Sequence, residues 1–207
     1  MLRRRLISAL GLSAAMLASP LVRAEALAAD AFVKQLSAEV VDAVKADKAI
    51  QSGDVARIRA LVDSKVMPHV NFERMTAMSV GPQWRSASPD QRKRMLDEFK
   101  LLLVNTYSGA MTQVKDQTIA VKPLRSAPVD GEVVVRSEVR GNGEPIQLDY
   151  RLEKAGEGWK IYDVNVGGFW VVEAYKGQFA KDLSTGGLDA LITRLAEKNK
   201  ARPAAKG

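Results

Sequence analysis

No cysteine occurs in the 207 residues. That absence excludes disulfides, thiol nucleophiles and the lipid-bearing cysteine that a lipoprotein needs at its cleavage point. Histidine is nearly as scarce. The single His69 follows Pro68 in a loop between helices, has no partner nearby in sequence, and reads as a surface or capping residue rather than a base. There is no G-x-S-x-G elbow, no H-E-x-x-H and no G-x-x-x-x-G-K-[ST] loop, so the common hydrolase, zinc-peptidase and P-loop chemistries have no carrier here. The acids are spread singly along helix and strand faces, and no metal site is expected from them.

A basic binding face is missing too, despite a net charge of +7. Arg3, Arg4 and Arg5 precede a short apolar run, Leu6 to Ala18, and Val22-Arg23-Ala24 is a small-residue cleavage pattern. Residues 1–24 therefore read as an export signal, too short to span a bilayer comfortably, with Glu25 as the expected mature N-terminus. Arg3-Arg4 followed by Leu6-Ile7 loosely resembles a twin-arginine signal, so both export routes stay open. Losing Arg3, Arg4, Arg5 and Arg23 lowers the charge from +7 to +3. Lys198, Lys200, Arg202 and Lys206 hold four more charges in the tail, which leaves residues 25–197 at −1. A nearly neutral body does not suit nucleic acid. Residues 199–207 read as a disordered basic tail, and residues 25–198 as one domain in an exported, oxidising compartment.

What is present is aliphatic periodicity. Phe32, Leu36, Val40 and Val44 predict an amphipathic helix over 30–47. Asp54 and Asn71 are candidate caps for two further helices, the second closed by Gly81-Pro82. Ser88-Pro89-Asp90-Gln91 is a capping-box start, and the helix after it, over 89–114, is the longest expected. Its stripe contains Phe99, Leu102, Leu103, Tyr107 and Met111. Beyond it the period becomes two. Strands are expected over 118–124, at Val133, Val135, Ser137 and Val139 after an Asp130-Gly131 turn, and at Ile146, Leu148, Tyr150 and Leu152.

The stretch from Trp159 to Phe179 organises the rest. Trp159, Ile161, Asp163 and Asn165 are expected on one face of a strand, and Lys160, Tyr162, Val164 and Val166 on the other. Gly167 and Gly168 break it as a hinge, and Phe169, Val172, Tyr175 and Phe179 continue at helical spacing. Gly186-Gly187 separates a last helix. The fold class expected is α+β: a four-stranded curved antiparallel sheet with helices on its concave face, an arrangement that resembles an NTF2-like cone with extra N-terminal helices. Periodicity alone does not say whether the centre is filled or hollow. A hollow cone leaves two readings, a ligand carrier and a small-pocket enzyme with Asp163 as general base.

Trp159-Lys160-Ile161-Tyr162, the Asp163-Val164-x-Val166-x-Gly168 run and Val171-Val172-x-x-Tyr175-Lys176-x-Gln178-Phe179 resemble the MlaC (toluene-tolerance auxiliary) family. Gly186-Gly187-Leu188-Asp189-Ala190-Leu191-Ile192, the segment from Val80 to Arg92, and Tyr107 in the long helix are similar in the same order. Phe169-Trp170 departs from a smaller Val-Ser pair, and Lys176 from a frequent arginine. The resemblance implies a periplasmic phospholipid carrier, with no other cofactor. It would work between an outer-membrane lipoprotein–porin complex and an inner-membrane ABC transporter with its periplasmic lipid-binding subunit. The implied lipid-binding residues are Leu102, Leu103, Tyr107, Met111, Val135, Val139, Leu148, Tyr150, Val164, Val166, Phe169, Val172 and Tyr175, with Gly167 and Gly168 as the hinge.

Overall fold

The computed structural model describes residues 27–141 and 143–201; the expected export signal and the tail beyond Ala201 lie outside the described residues. The first helix, α1 (Ala29–Ala46), buries Val33, Leu36 and Val44 along one stripe. Asp47 then does what the sequence reading missed. Its Oδ1 accepts the N–H groups of Ala49 and Ile50, starting a one-turn helix, α2 (Lys48–Gln51), and its Oδ2 takes the guanidinium of Arg57. Asp54 caps α3 (Val55–Leu61) through the N–H of Arg57, and Asn71 caps α4 (Phe72–Val80) through that of Arg74. Both side chains supply acceptors for amides that a helix start leaves unpaired. Ser88 and Gln91 form the expected capping box of α5 (Pro89–Thr112).

Six antiparallel strands follow, where four were expected: β1 (Thr118–Val121), β2 (Glu132–Val135), β3 (Ser137–Arg140), β4 (Ile146–Ala155), β5 (Gly158–Val166) and β6 (Phe169–Trp170). Two local events account for the difference. The stretch predicted as one strand from Val133 to Val139 is interrupted at Arg136, although β2 and β3 keep one register against β4. At the break the Ser137 N–H donates to Asp149 Oδ1 at 2.9 Å and the Ser137 hydroxyl donates to the Leu148 carbonyl, so side chains replace ladder bonds. The second event is at Gly167-Gly168. These residues, at φ 60° and 96°, form a two-residue hairpin that pairs Val166 with Phe169 and Asn165 with Trp170. Phe169 therefore lies in a strand, not in the helix expected for it, and is 75% exposed. β1 also stops three residues early, because the chain leaves the sheet after Lys122.

The expected alternation along β5 is corrected by a bulge. Arg151 registers with Asp163 and Leu152 with Ile161, so Tyr162 has no opposite residue on β4. One extra residue swaps the faces beyond it. Trp159 and Ile161 thus share a face with Val164 and Val166, rather than with Asp163 and Asn165. That shared face also holds Val133, Val135, Leu148, Tyr150 and Leu152. The exposed edge of β5 is met by Val70 and Asn71, whose N–H bonds the Ile161 carbonyl at 2.8 Å.

The last helix, α6 (Val171–Ala201), is broken at Gly187 (φ 66°, ψ −160°), as its paired glycines suggest. It also corrects the expected start of the tail. Asn199 is buried, and its Nδ2 donates to the Glu98 carbonyl at 2.9 Å and to Glu98 Oε2 at 2.8 Å. Residues 199–201 therefore continue α6, with Asn199 held against α5, and are not part of a loose tail.

Candidate ligand site

Helices cover the sheet without closing evenly over it. α1 lies on β1 and β2, while α4 and α6 lie on β5; α5 packs mainly on α3, α4 and α6. The apolar side chains consequently collect in three clusters. One is helical and aromatic: Phe99 stacks on Phe72 at 5.6 Å and meets Tyr175 and Phe179 edge-on at 5.0 and 5.3 Å. A second joins α1 to Val133, Val135, Leu152, Trp159 and Ile161 of the sheet. The third joins the ends of α1, α2 and α3 to Val104 of α5.

Between these clusters lie apolar positions that are only half-buried. On the sheet they are Val139, Leu148, Tyr150, Val164 and Val166, all on one face. On α5 they are Leu103, Tyr107 and Met111, one turn apart on a single row. Val164 touches both the helical and the sheet cluster, and Met111 the third. Tyr150 is the most informative. Burial pushes its phenol up, opposed by the hydroxyls of Ser37 and Ser137 beside it, yet part of its surface stays accessible. Tyr150 is thus deep in the packing without being fully closed off. Burial likewise raises the phenol of Tyr107, with Tyr175 nearby adding to the effect.

Of the residues the resemblance implied, Leu102, Val135, Val172 and Tyr175 are closed into the clusters. Phe169 stands outside, at the hairpin tip on the same sheet face as Val166. Val40 and Val70, each touching two clusters, were missed, as was Ser37. Ser37 had a signal: it interrupts the Val33–Val44 stripe of α1 at an inward position.

Asp163, the candidate general base, is fully buried with its acceptors in use. Its Oδ1 takes the N–H groups of Val164 and Val172 at 2.9 and 3.0 Å, and its Oδ2 the Arg151 guanidinium at 3.0 Å. Burial holds its carboxyl above the usual range, opposed by those amides and by Arg151. Arg151 stacks in turn on the Trp170 ring, 4.0 Å from its centroid. The carboxylate thus ties the start of α6 to β4 and β6, and no face of it is free to take a substrate proton. Among the described residues no group of three or more His, Asp or Glu is placed to hold a metal, and no helix is long and apolar enough to cross a membrane. His69 meets Phe32 edge-on at 5.5 Å.

The family model described as MlaC protein matches residues 34–197. The chain belongs to the MlaC family. Among curated MlaC relatives, the "Intermembrane phospholipid transport system binding protein MlaC" of Haemophilus influenzae is 24% identical over 169 residues, covering 80% of this chain and 79% of that protein. The "Toluene tolerance protein ttg2D" of Pseudomonas putida is 30% identical over 105 residues, 51% of this chain and 49% of that one. A solved phospholipid-binding protein from Ralstonia solanacearum, in complex with a phospholipid, is 44% identical and superposes with a TM-score of 0.80, covering 84% of this chain and 97% of its own. The MlaC resemblance first seen around residues 159–179 therefore extends through the described fold, with the helices packed on an open antiparallel sheet.

Proposed function

We propose that this protein is a periplasmic phospholipid carrier that moves lipid between the outer and inner membranes, and that it is not an enzyme. The observation that carries this reading is the half-buried apolar surface between the three clusters, with Tyr150 at its depth. A diacyl lipid has roughly thirty methylenes, each worth about 0.8 kcal/mol on removal from water, so an unprotected crossing costs on the order of 20 kcal/mol. Aliphatic walls offset that cost without any reactive group, and the polar head can stay hydrated. The acyl chains would lie between the Leu148–Val166 face of the sheet and the Leu103–Met111 row of α5. The solved relative with phospholipid bound supports the ligand class. The outer-membrane lipoprotein–porin complex, and the inner-membrane ABC transporter with its lipid-binding subunit, are the partners this function calls for.

Lipid extraction with mass spectrometry, on protein purified from the exported fraction of cells, tests the proposal. Wild-type protein is expected to carry phospholipid near one molecule per chain. Leu148→Trp, which fills the half-buried face, is expected to carry less at an unchanged melting temperature. Wild-type protein without lipid would overturn the carrier reading, and a fully loaded Leu148→Trp variant would overturn the placement of the tails.

A further inference from the structure

Strand β2 has a free edge on its side away from β4. β1 pairs with β3 alone, its last link being the Lys122 N–H to the Arg136 carbonyl at 2.8 Å. The chain then swings clear and returns at Val129, which exchanges backbone bonds with Glu132 at 3.0 and 2.8 Å. In an antiparallel strand alternate residues turn their N–H and C=O to the same side, so Val134 points both groups outward between these links. The links are four residues apart, about 13 Å of strand.

That edge opens into a cleft of about 650 Å³ whose lining includes Leu124, Arg125, Val129, Val134, Arg136 and Tyr162. Val129 is 71% and Val134 44% exposed, two of the few large apolar side chains so displayed among the described residues. Arg125 and Arg136 are exposed at its rim. The nearby Lys122 is engaged by Glu138, and the carboxylate of Glu132 is taken by the Tyr162 hydroxyl at 2.7 Å and by Arg74 at 2.6 Å. Apart from Asp130 at the turn, the charge that the cleft presents unanswered is positive.

We propose that this cleft receives a short extended segment of a partner protein that carries a carboxylate two positions from an aliphatic residue. Such a segment adds to the β2 edge at Val134, sets its aliphatic side chain on Val134 and Val129, and places its acid on Arg136 and Arg125. The chain's own C-terminal residues have the wrong charge for this role, since they carry Arg202 and Lys206. Val134 registers with Arg151 and through it with Asp163, on the face opposite Val135, Tyr150 and Val164. Docking there leaves the proposed lipid site open, so a loaded protein can be held by a partner.

A fluorescein-labelled peptide of repeating Val-Thr-Glu-Thr, which sets Val and Glu two positions apart on one strand face, and its Val-Thr-Lys-Thr counterpart, are titrated into the purified protein. The Glu peptide is expected to bind and the Lys peptide not to. Arg125→Glu with Arg136→Glu is expected to reverse the preference by at least about tenfold. Val134→Pro removes the free edge N–H, which a proline tolerates there, and is expected to weaken the Glu peptide with melting temperature and bound phospholipid unchanged. Equal or absent binding of the two peptides overturns the proposal, as does a Val134→Pro variant that binds normally. Should that variant not fold, the charge-reversed pair decides. Loss of binding to vesicles containing phosphatidylglycerol in the double variant, with no peptide binding by wild type, would assign the cleft to a membrane surface instead.

Discussion

Replacing Asp163 by alanine removes an acceptor that three donors share. The Val164 and Val172 amides lose the only partner the side chain gives them, and Arg151 loses its ion pair. Each buried amide left unpaired costs about 1–3 kcal/mol, and the Val172 bond also caps the start of α6 at about 1 kcal/mol. Arg151 is partly exposed and keeps its stacking on Trp170, so its loss counts for less. Water entering the vacated space recovers part of the total. A net loss of about 3 kcal/mol remains, which lowers the melting temperature of a chain this size by roughly 6–12 °C. Asp163→Asn keeps one acceptor oxygen and is expected to fall between alanine and wild type. Thermal unfolding by circular dichroism gives the order. If alanine melts within a degree of wild type, the carboxylate is not structural. A variant with unchanged melting but a lost turnover activity would restore the catalytic reading that the buried geometry argues against.

The Arg74–Glu132–Tyr162 contact predicts a pH profile. Tyr162, and then Arg74, hold Glu132 below its ordinary 4.5, so its contribution is present above that pH and is lost as pH falls through the lowered value. Burial, with Glu132 beside it, pushes Tyr162 from 10.0 up to about 12, so its contribution is full below pH 10 and is lost as pH rises through 12. Tyr162→Phe should flatten both limbs in urea-unfolding midpoints, and an identical profile would refute the coupling. Gly168→Val should cost about 1–3 kcal/mol, because a branched residue is strained at φ 96° although no atom blocks its Cβ. If the hairpin acts as the proposed hinge, folded variant should also transfer fluorescent phospholipid between vesicles more slowly; normal transfer would leave the glycines as a turn alone. Truncation after Lys198 should cost about 1–2 kcal/mol by removing the bonds of Asn199 to Glu98, whereas truncation after Ala201 is the control. Equal melting of the two would show that Asn199 contributes nothing.

Much of the local chemistry was legible in the sequence, the Asp47 cap and the Gly167-Gly168 hairpin excepted. Asp54, Asn71 and Ser88 cap helices because the amides they satisfy lie three residues away. The Asp130-Gly131 turn follows from two neighbours at φ 50° and 78°. Asn199 was misread because its partner, Glu98, is 101 residues distant, and a polar residue near a basic end carries no mark of that contact. The break at Arg136 depends in the same way on Asp149, a side chain of the next strand that takes the place of a backbone acceptor.

The bulge at Tyr162 shows most directly why the candidate site was only half legible. An unbroken period of two puts Asp163 and Asn165 with Trp159 and Ile161, whereas a slip at Tyr162 breaks the period and gathers Trp159, Ile161, Val164 and Val166 on one face, and the strand's own sequence leaves that choice open. Only the pairing with β4 reveals that Ile161 and Val164 share a face. Without the bulge, Val164 and Val166 would turn away from Leu148 and Tyr150, and the apolar wall would be cut in two. The same extra residue puts Tyr162 and Asp163 together on the opposite face, where one reaches Glu132 and the other holds α6. A continuous apolar wall, the one proposed to face lipid, and a polar seam behind it are therefore consequences of one inserted residue.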